Sequence, residues 1–310
     1  MSAFCLDYAR LLRGLVIALL LGGNLLLVGV PVSLFGLLKP VMRGRARGLL
    51  IRFIAWMGER WVGQNNRILD AFLDTVWDVE GPDDADRDGH YLILSNHLSW
   101  VDIFVAFRVF HRRTALVRFF LKDTLRWAPI VGQAAMALDF PFMRRYSKEY
   151  LEQHPEKRGR DLETTRKSCS RFRHVPVAIL NYVEGTRFTR AKHAEQQSPY
   201  RYLLRPRVGG VAFVLASLGD QLDGVYDLTV VYPGHQITMW DFATNRVPRI
   251  VVRVRRIDPP RELYTTAITE PGPVREHFKQ WIDARWREKD TVIGGIVETE
   301  SIPAAGRDLR

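Results

Sequence analysis

The 310 residues carry 45 Lys and Arg against 34 Asp and Glu, a formal charge of +11, and 47% of them are hydrophobic. That length and apolar fraction exclude a disordered chain and allow a sizeable core. Two cysteines without a CxxC or a Cys/His cluster exclude a disulfide framework, argue against a structural zinc site and make a reducing compartment the default.

The basic excess selects anionic partners: nucleic acid, lipid headgroups or a phosphorylated substrate. Over residues 1–67, nine Lys or Arg stand against Asp7 and Glu59, and they flank the most hydrophobic stretch of the chain. Basic residues beside an apolar segment point to a membrane surface before nucleic acid.

In that stretch, Gly14 to Leu38 is a run of 25 residues without a formal charge. About 20 apolar residues suffice to cross a hydrocarbon core. Gly22-Gly23-Asn24 and Pro31 interrupt the run, so a re-entrant pair of half-helices with both ends on one face competes with a single span. A soluble hydrophobic helix is a further alternative. The run is too long for a cleaved signal peptide, and no small-x-small site follows it. Residues 41–75 read as an amphipathic helix, with Leu49, Leu50, Phe53, Ile54, Trp56, Met57 and Trp61 between Arg43, Arg45, Arg47, Arg52 and Arg60. Such a helix either lies in the membrane interface or packs on the domain that follows.

A first strand over Thr75 to Glu80 starts that domain, and Gly81-Pro82-Asp83-Asp84 to Gly89 is a polar turn. Tyr91 to Leu94 reads as a short buried strand broken by Ser95-Asn96. His97 therefore falls on a loop at a strand end, five positions before Asp102. Ser99 and Asp102 also form a capping box ahead of the apolar Ile103 to Phe107. On one regular helix, residues five apart lie roughly 140° away from each other. With His97 on the loop and Asp102 in the first helical turn, the carboxylate can instead reach back to the imidazole, as for a general base held in one tautomer.

Ala115 to Phe120 is a strand or a helix start, and Lys122 precedes a helical segment ending at Pro129-Ile130-Val131-Gly132. Phe140-Pro141-Phe142-Met143 reads as an apolar strand ending in Arg144 and Arg145. Guanidinium groups there suit the bidentate recognition of a phosphate. The charge-dense residues 147–174 read as one or two solvated helices crossing between strands. Val177 to Val183 is a strand opening into Glu184-Gly185-Thr186-Arg187, a turn able to offer backbone N–H groups and a guanidinium to an anion. Residues 190–207 read as a basic loop near the site, Val208 to Leu218 as a helix, and Tyr226 to Tyr232 and Ile250 to Arg255 as strands. A last helix over 273–290 carries Phe278, Trp281, Ile282 and Trp286. Strands alternating with helices predict an α/β fold, a mixed sheet flanked by helices with an N-terminal hydrophobic helical membrane anchor. Its divisions are a membrane-associating region (1–74), a catalytic domain (75–290) and a loosely ordered tail (291–310).

Asn96-His97-x-Ser99-x-x-Asp102, the Lys122 segment, Phe140 to Arg145, Glu184 to Arg187 and Tyr226 to Pro233 together resemble, in order, the motifs of the glycerolipid acyltransferase family. These are 1-acylglycerol-3-phosphate O-acyltransferase-like proteins, and the last block resembles the branch containing lysocardiolipin acyltransferase-like enzymes. Most bacterial members carry a proline inside that last strand, which is absent here. The resemblance implies that His97 deprotonates an acceptor hydroxyl and Asp102 orients it, within a motif that includes Asn96 and Ser99. It assigns Lys122, Arg145 or its neighbour Arg144, and Glu184, Gly185, Thr186 and Arg187 to binding the acceptor, chiefly its phosphate. It also implies direct acyl transfer without a metal or bound cofactor, with acyl-CoA or acyl-carrier protein as donor substrate. The acceptor would be lysophosphatidic acid, and the expected place is a membrane, the bacterial inner membrane, with the site facing the cytoplasm. Two other readings stand beside it: acylation of a different lyso-lipid, such as lysocardiolipin, lysophosphatidylglycerol, an ornithine lipid or a lipid A precursor, and a non-catalytic anionic-lipid or nucleic-acid binder. The second gives no reason for His97 with Asp102, and nucleic acid is not an expected partner.

Overall fold

A computed structural model describes residues 3–143, 175–234 and 237–301. Helices α1 (Ala3–Leu38) and α2 (Gly44–Phe72) form an N-terminal pair. After them come β1 (Val76–Glu80), β2 (His90–Ser95), α3 (Val101–Phe110), β3 (Val117–Phe119), β4 (Leu121–Lys122), α4 (Val131–Ala137) and β5 (Phe142–Met143). Beyond residue 174 lie β6 (Val177–Tyr182), α5 (Arg190–Glu195), α6 (Gly209–Leu218), β7 (Gly224–Val231), α7 (Met239–Ala243), β8 (Arg249–Arg256) and α8 (Pro273–Ser301). Arg144, Arg145 and the helices expected over 147–174 lie outside the described residues.

The main sheet has the order β1-β8-β7-β2-β6-β3 among the described residues. Its neighbours are parallel except β7 and β8, so the mixed sheet expected from the strand–helix alternation is present. Every residue of β2 from Tyr91 to Ser95 is buried because the sheet is covered on both faces. Tyr91 and Ile93 point to the layer of α2 and α3, while Leu92 and Leu94, on the alternate face, meet α6 and α8.

The strand-pair ends matter most for the site. Ser95 is paired with Tyr182 of β6 and with Leu228 of β7. The parallel strands β2, β6 and β7 therefore finish side by side, and the loops that leave them converge at one edge of the sheet.

Helix α1 is continuous through Gly22-Gly23-Asn24 and Pro31, so the re-entrant pair of half-helices is replaced by a single helix. The polar break is absorbed by packing: the Asn24 amide donates to Asn65 Oδ1 at 2.7 Å and to the Trp61 carbonyl at 3.1 Å, both on α2. A proline removes only one rung of the backbone ladder. At 36 residues and 1.5 Å per residue the helix is about 54 Å long, against a hydrocarbon core of about 30 Å. Its inner face approaches the domain closely, since a Cβ at Gly36 would lie 2.5 Å from the Ala137 Cβ on α4. Its outer face presents Leu12, Leu19, Leu27 and Leu34, each at least 60% exposed and roughly two helical turns apart. The segment Asp7–Leu38 is long and apolar enough to cross a membrane. Helix α2 buries Leu50, Ile54, Val62 and Leu69 and leaves Leu49, Phe53 and Trp56 exposed, so it packs on the domain through one face only.

Two local expectations change. Residues 190–207 begin with the short α5, capped by Thr189, whose hydroxyl accepts from the Lys192 N–H at 3.2 Å. Helix α8 runs on to Ser301, so the tail expected to be loose from 291 is helical to that point. Its apolar repeat continues past 290: Phe278, Ile282, Trp286 and Ile293 are all buried against the sheet.

Candidate active site

His97 sits on the loop between β2 and α3. Its Nδ1 lies 2.8 Å from Asp102 Oδ2. The same carboxylate oxygen accepts from the Leu98 N–H at 2.6 Å and the Ser99 N–H at 2.9 Å, and Oδ1 accepts from the Tyr232 hydroxyl at 2.6 Å. Four donors thus fix Asp102, whose side chain is 0% exposed, while the His97 side chain keeps 15% exposure. With Nδ1–H given to a carboxylate, Nε2 is left with its lone pair for proton transfer.

The expected capping box is half made. Asp102 accepts from the Ser99 N–H, but the Ser99 hydroxyl accepts from the Val101 N–H at 3.3 Å instead of from Asp102. Asp102 therefore serves the helix start and the imidazole together, because α3 begins immediately after the loop.

Five further contacts hold the loop. The Asn96 side chain acts as an extra rung of the sheet, donating to the Val230 carbonyl at 2.8 Å and accepting from the Val230 N–H at 3.0 Å. The His97 N–H donates to Glu184 Oε2 at 3.1 Å, and the His97 carbonyl accepts from the Phe188 N–H at 2.7 Å. The His97 ring stacks on Tyr182 with centroids 3.9 Å apart and planes 18° from parallel.

Glu184 is 0% exposed. Its other oxygen accepts from the Leu204 N–H at 2.9 Å, so the carboxyl brackets two loops and is not offered to a phosphate. Burial raises its pKa to about 8, while the two backbone donors and the Lys289 ammonium pull it down. Gly185 makes the turn after it at φ +69°, a conformation in which a side chain is strained. Lys192 Nζ donates to Thr186 Oγ1 at 2.7 Å and to the Arg187 carbonyl at 3.0 Å, tying the turn to α5. The exposed Arg187 guanidinium lies 5.0 Å over the exposed Trp100 ring.

The fold thus gathers Asn96, His97, Ser99, Asp102, Glu184, Gly185, Thr186 and Arg187 at the ends of β2 and β6. Lys122 is exposed on the separate two-stranded sheet, paired in register with Met143, the residue before Arg144. Sequence reasoning missed Tyr182, and it placed Tyr232 in the last motif and Leu204 in a loop near the site without giving either a role. The two tyrosines do carry a signal, since each closes an apolar strand reading with a polar-tipped ring.

The architecture and this constellation define an α/β protein with a histidine–carboxylate pair at parallel strand ends. The chain belongs to the acyltransferase family, whose model matches residues 76–233. It is similar to mouse 1-acyl-sn-glycerol-3-phosphate acyltransferase epsilon, 25% identical over 224 residues, 65% of this chain and 56% of that protein. It is also similar to mouse lysocardiolipin acyltransferase 1, 26% identical over 264 residues, 79% of this chain and 65% of the relative. The chain thus spans a little over half to about two thirds of the length of these relatives. A solved structure of the 1-acyl-sn-glycerophosphate (LPA) acyltransferase PlsC from Thermotoga maritima superposes with a TM-score of 0.50 at 15% identity, covering 92% of this chain and 98% of that one. That likeness establishes a shared fold.

Proposed function

We propose that this chain is a membrane-bound 1-acyl-sn-glycerol-3-phosphate O-acyltransferase, moving a fatty acyl group from an acyl thioester to the free hydroxyl of lysophosphatidic acid to give phosphatidic acid. The donor is acyl-CoA or acyl-carrier protein. The observation that carries the reading is the 2.8 Å His97–Asp102 pair, sealed at the carboxylate and open at the imidazole, beside the Gly185–Arg187 turn.

In the proposed reaction, His97 Nε2 takes the hydroxyl proton as the oxygen bonds to the thioester carbonyl carbon. The tetrahedral oxyanion collapses, the C–S bond breaks, and the leaving thiolate takes the proton from the imidazolium. Backbone N–H groups around the loop are the natural donors for the oxyanion. Asp102 orients the base, and Asn96, Ser99 and Glu184 hold its loop. Arg187, with Arg145 or Arg144 and Lys122, meets the acceptor phosphate, for which guanidinium geometry is suited. Gly185 and Thr186 shape the turn that carries Arg187. The reaction so written calls on no metal or bound cofactor.

The exposed leucines of α1 support membrane residence, since both acceptor and product are lipids. We place the protein in the bacterial inner membrane with the site facing the cytoplasm, where thioesters are made. It should sediment with membranes and be released by detergent but not by high salt.

The deciding assay is acyl transfer from oleoyl-CoA to lysophosphatidic acid by the reconstituted protein, beside His97→Ala. Loss of a positioned general base should lower the rate by roughly 10² to 10⁴. Equal rates for both proteins would remove His97 from the mechanism. A second acceptor is favoured by a specific observation: the relative named lysocardiolipin acyltransferase matches 79% of this chain. Lysocardiolipin belongs in the same assay, and activity on it alone would keep the chemistry and replace the substrate.

A further inference from the structure

Helix α8 lies beyond residue 233, where the family match ends, yet one of its faces is bound into the active centre. Asp283, Trp286, Lys289 and Asp290 recur at three- and four-residue spacing, which places them on one side of a helix. Three of them clasp the segment 200–204. The Tyr200 hydroxyl donates to Asp283 at 3.2 Å, Trp286 Nε1 donates to the Leu204 carbonyl at 3.0 Å, and the Arg201 and Tyr202 N–H groups each donate to Asp290 at 2.8 Å. That segment supplies the Leu204 N–H held by Glu184.

The fourth, Lys289, is 0% exposed. Its ammonium pairs with Asp227 at 2.8 Å and donates to the carbonyls of Leu228 at 2.7 Å and Leu94 at 3.5 Å. It therefore grips β7 and β2 just before they deliver Tyr232 and His97. An ammonium removed from water is costly unless buried negative charge answers it. The carboxylates that answer it are Asp227 on β7 and Glu184 at the end of β6, so one cation serves two buried acids. Arg255 of β8 opposes the lysine's charge, and Asp102 of α3 opposes that of Glu184.

We propose that Lys289 is a positioning residue of the active centre: its ammonium ties β7 to β2 just before they deliver Tyr232 and His97, and its buried charge favours the ionised form of Glu184 as acceptor for the His97 backbone N–H, so a helix outside the catalytic motifs helps hold the general base. The proposal rests on the acyl-transfer reading of His97. Glu184 faces two N–H donors, and protonation would turn one of its acceptor positions into a third donor. Without the lysine, burial acts on Glu184 unopposed by that cation, and the protonated form gains.

The test is a double-mutant cycle on the full chain with Lys289→Met, Glu184→Gln and both together. It is joined by an infrared titration of the buried carboxyl, identified as the protonated C=O band that Glu184→Gln removes. Weakening a charged hydrogen bond that matters in the transition state should lower kcat about tenfold to a hundredfold for Lys289→Met. The KM for either substrate should stay within about twofold, because nothing that touches substrate is lost. The Glu184 midpoint should move to higher pH, and Lys289→Met should cost little more once Glu184 is Gln. If Lys289→Met alone does not fold, Asp227→Asn/Lys289→Met removes both charges together and should show the same midpoint shift. An unmoved midpoint, or kcat losses that simply add, overturns the proposal. The titration does not depend on turnover. A wild type inactive on every lyso-lipid would refute the acyl-transfer reading, while the midpoint still decides whether Lys289 controls Glu184.

Discussion

Tyr232→Phe removes one atom from the site, the hydroxyl that donates to Asp102 Oδ1 at 2.6 Å. Both residues are buried, so water cannot readily replace the lost donor. Burial first, and then the Asp102 carboxylate, raise the Tyr232 pKa well above 10, so the phenol remains a donor over any practical assay range. A hydrogen bond to a charged group is worth about 1.5–3 kcal/mol. If that bond orients Asp102 against the imidazolium formed during transfer, kcat should fall about tenfold to a hundredfold at 1.4 kcal/mol per factor of ten. Tyr232 touches no substrate in the proposed mechanism, so the KM for the acceptor should hold. The assay is steady-state transfer to lysophosphatidic acid across pH 6 to 9, at a temperature well below the melting point of the variant. A kcat within about twofold of wild type, or a loss confined to KM, would refute the role of the Tyr232–Asp102 bond.

Trp100→Leu takes away the ring under the Arg187 guanidinium. An exposed cation–π contact is worth about 0.5–1 kcal/mol, so the acceptor KM should rise about two- to fivefold with kcat little changed. An unchanged KM would show that Trp100 does not orient Arg187 for the acceptor. The Glu184 pKa raised from 4.5 to about 8 carries a stability signature of definite sign. Its folded value exceeds its unfolded one, so the contribution of this group is fully present below pH 4.5 and is lost as the pH rises through about 8. Urea unfolding across that window, compared with Glu184→Gln, should show a decline in wild type that is flattened in the variant. Parallel curves would mean that Glu184 titrates with its unfolded value.

Much of the site was legible because its chemistry is local in the chain. His97 and Asp102 are five residues apart, and a loop followed by a first helical turn is enough to bring them together. Gly185 could be read as a turn residue from its neighbours, and its positive φ follows from that turn. Glu184 was legible as part of the motif but not in its use. Beside Gly, Thr and Arg it reads as part of an anion-binding turn, whereas the fold buries it beneath the loop as an acceptor for His97 and Leu204.

The sequence by itself determined most of the strands and the long helices, the positions of the motifs at strand ends and the apolar run of α1, because each follows from side-chain type and spacing within a few residues. Only the tertiary structure decided that Tyr232 reaches Asp102 across 130 positions, that Lys289 reaches Leu94 across 195, and that α1 passes unbroken through Asn24 on the strength of its bond to Asn65. The strand order β1-β8-β7-β2-β6-β3 sets distant segments side by side, and no local pattern in the chain encodes which strand ends will be neighbours.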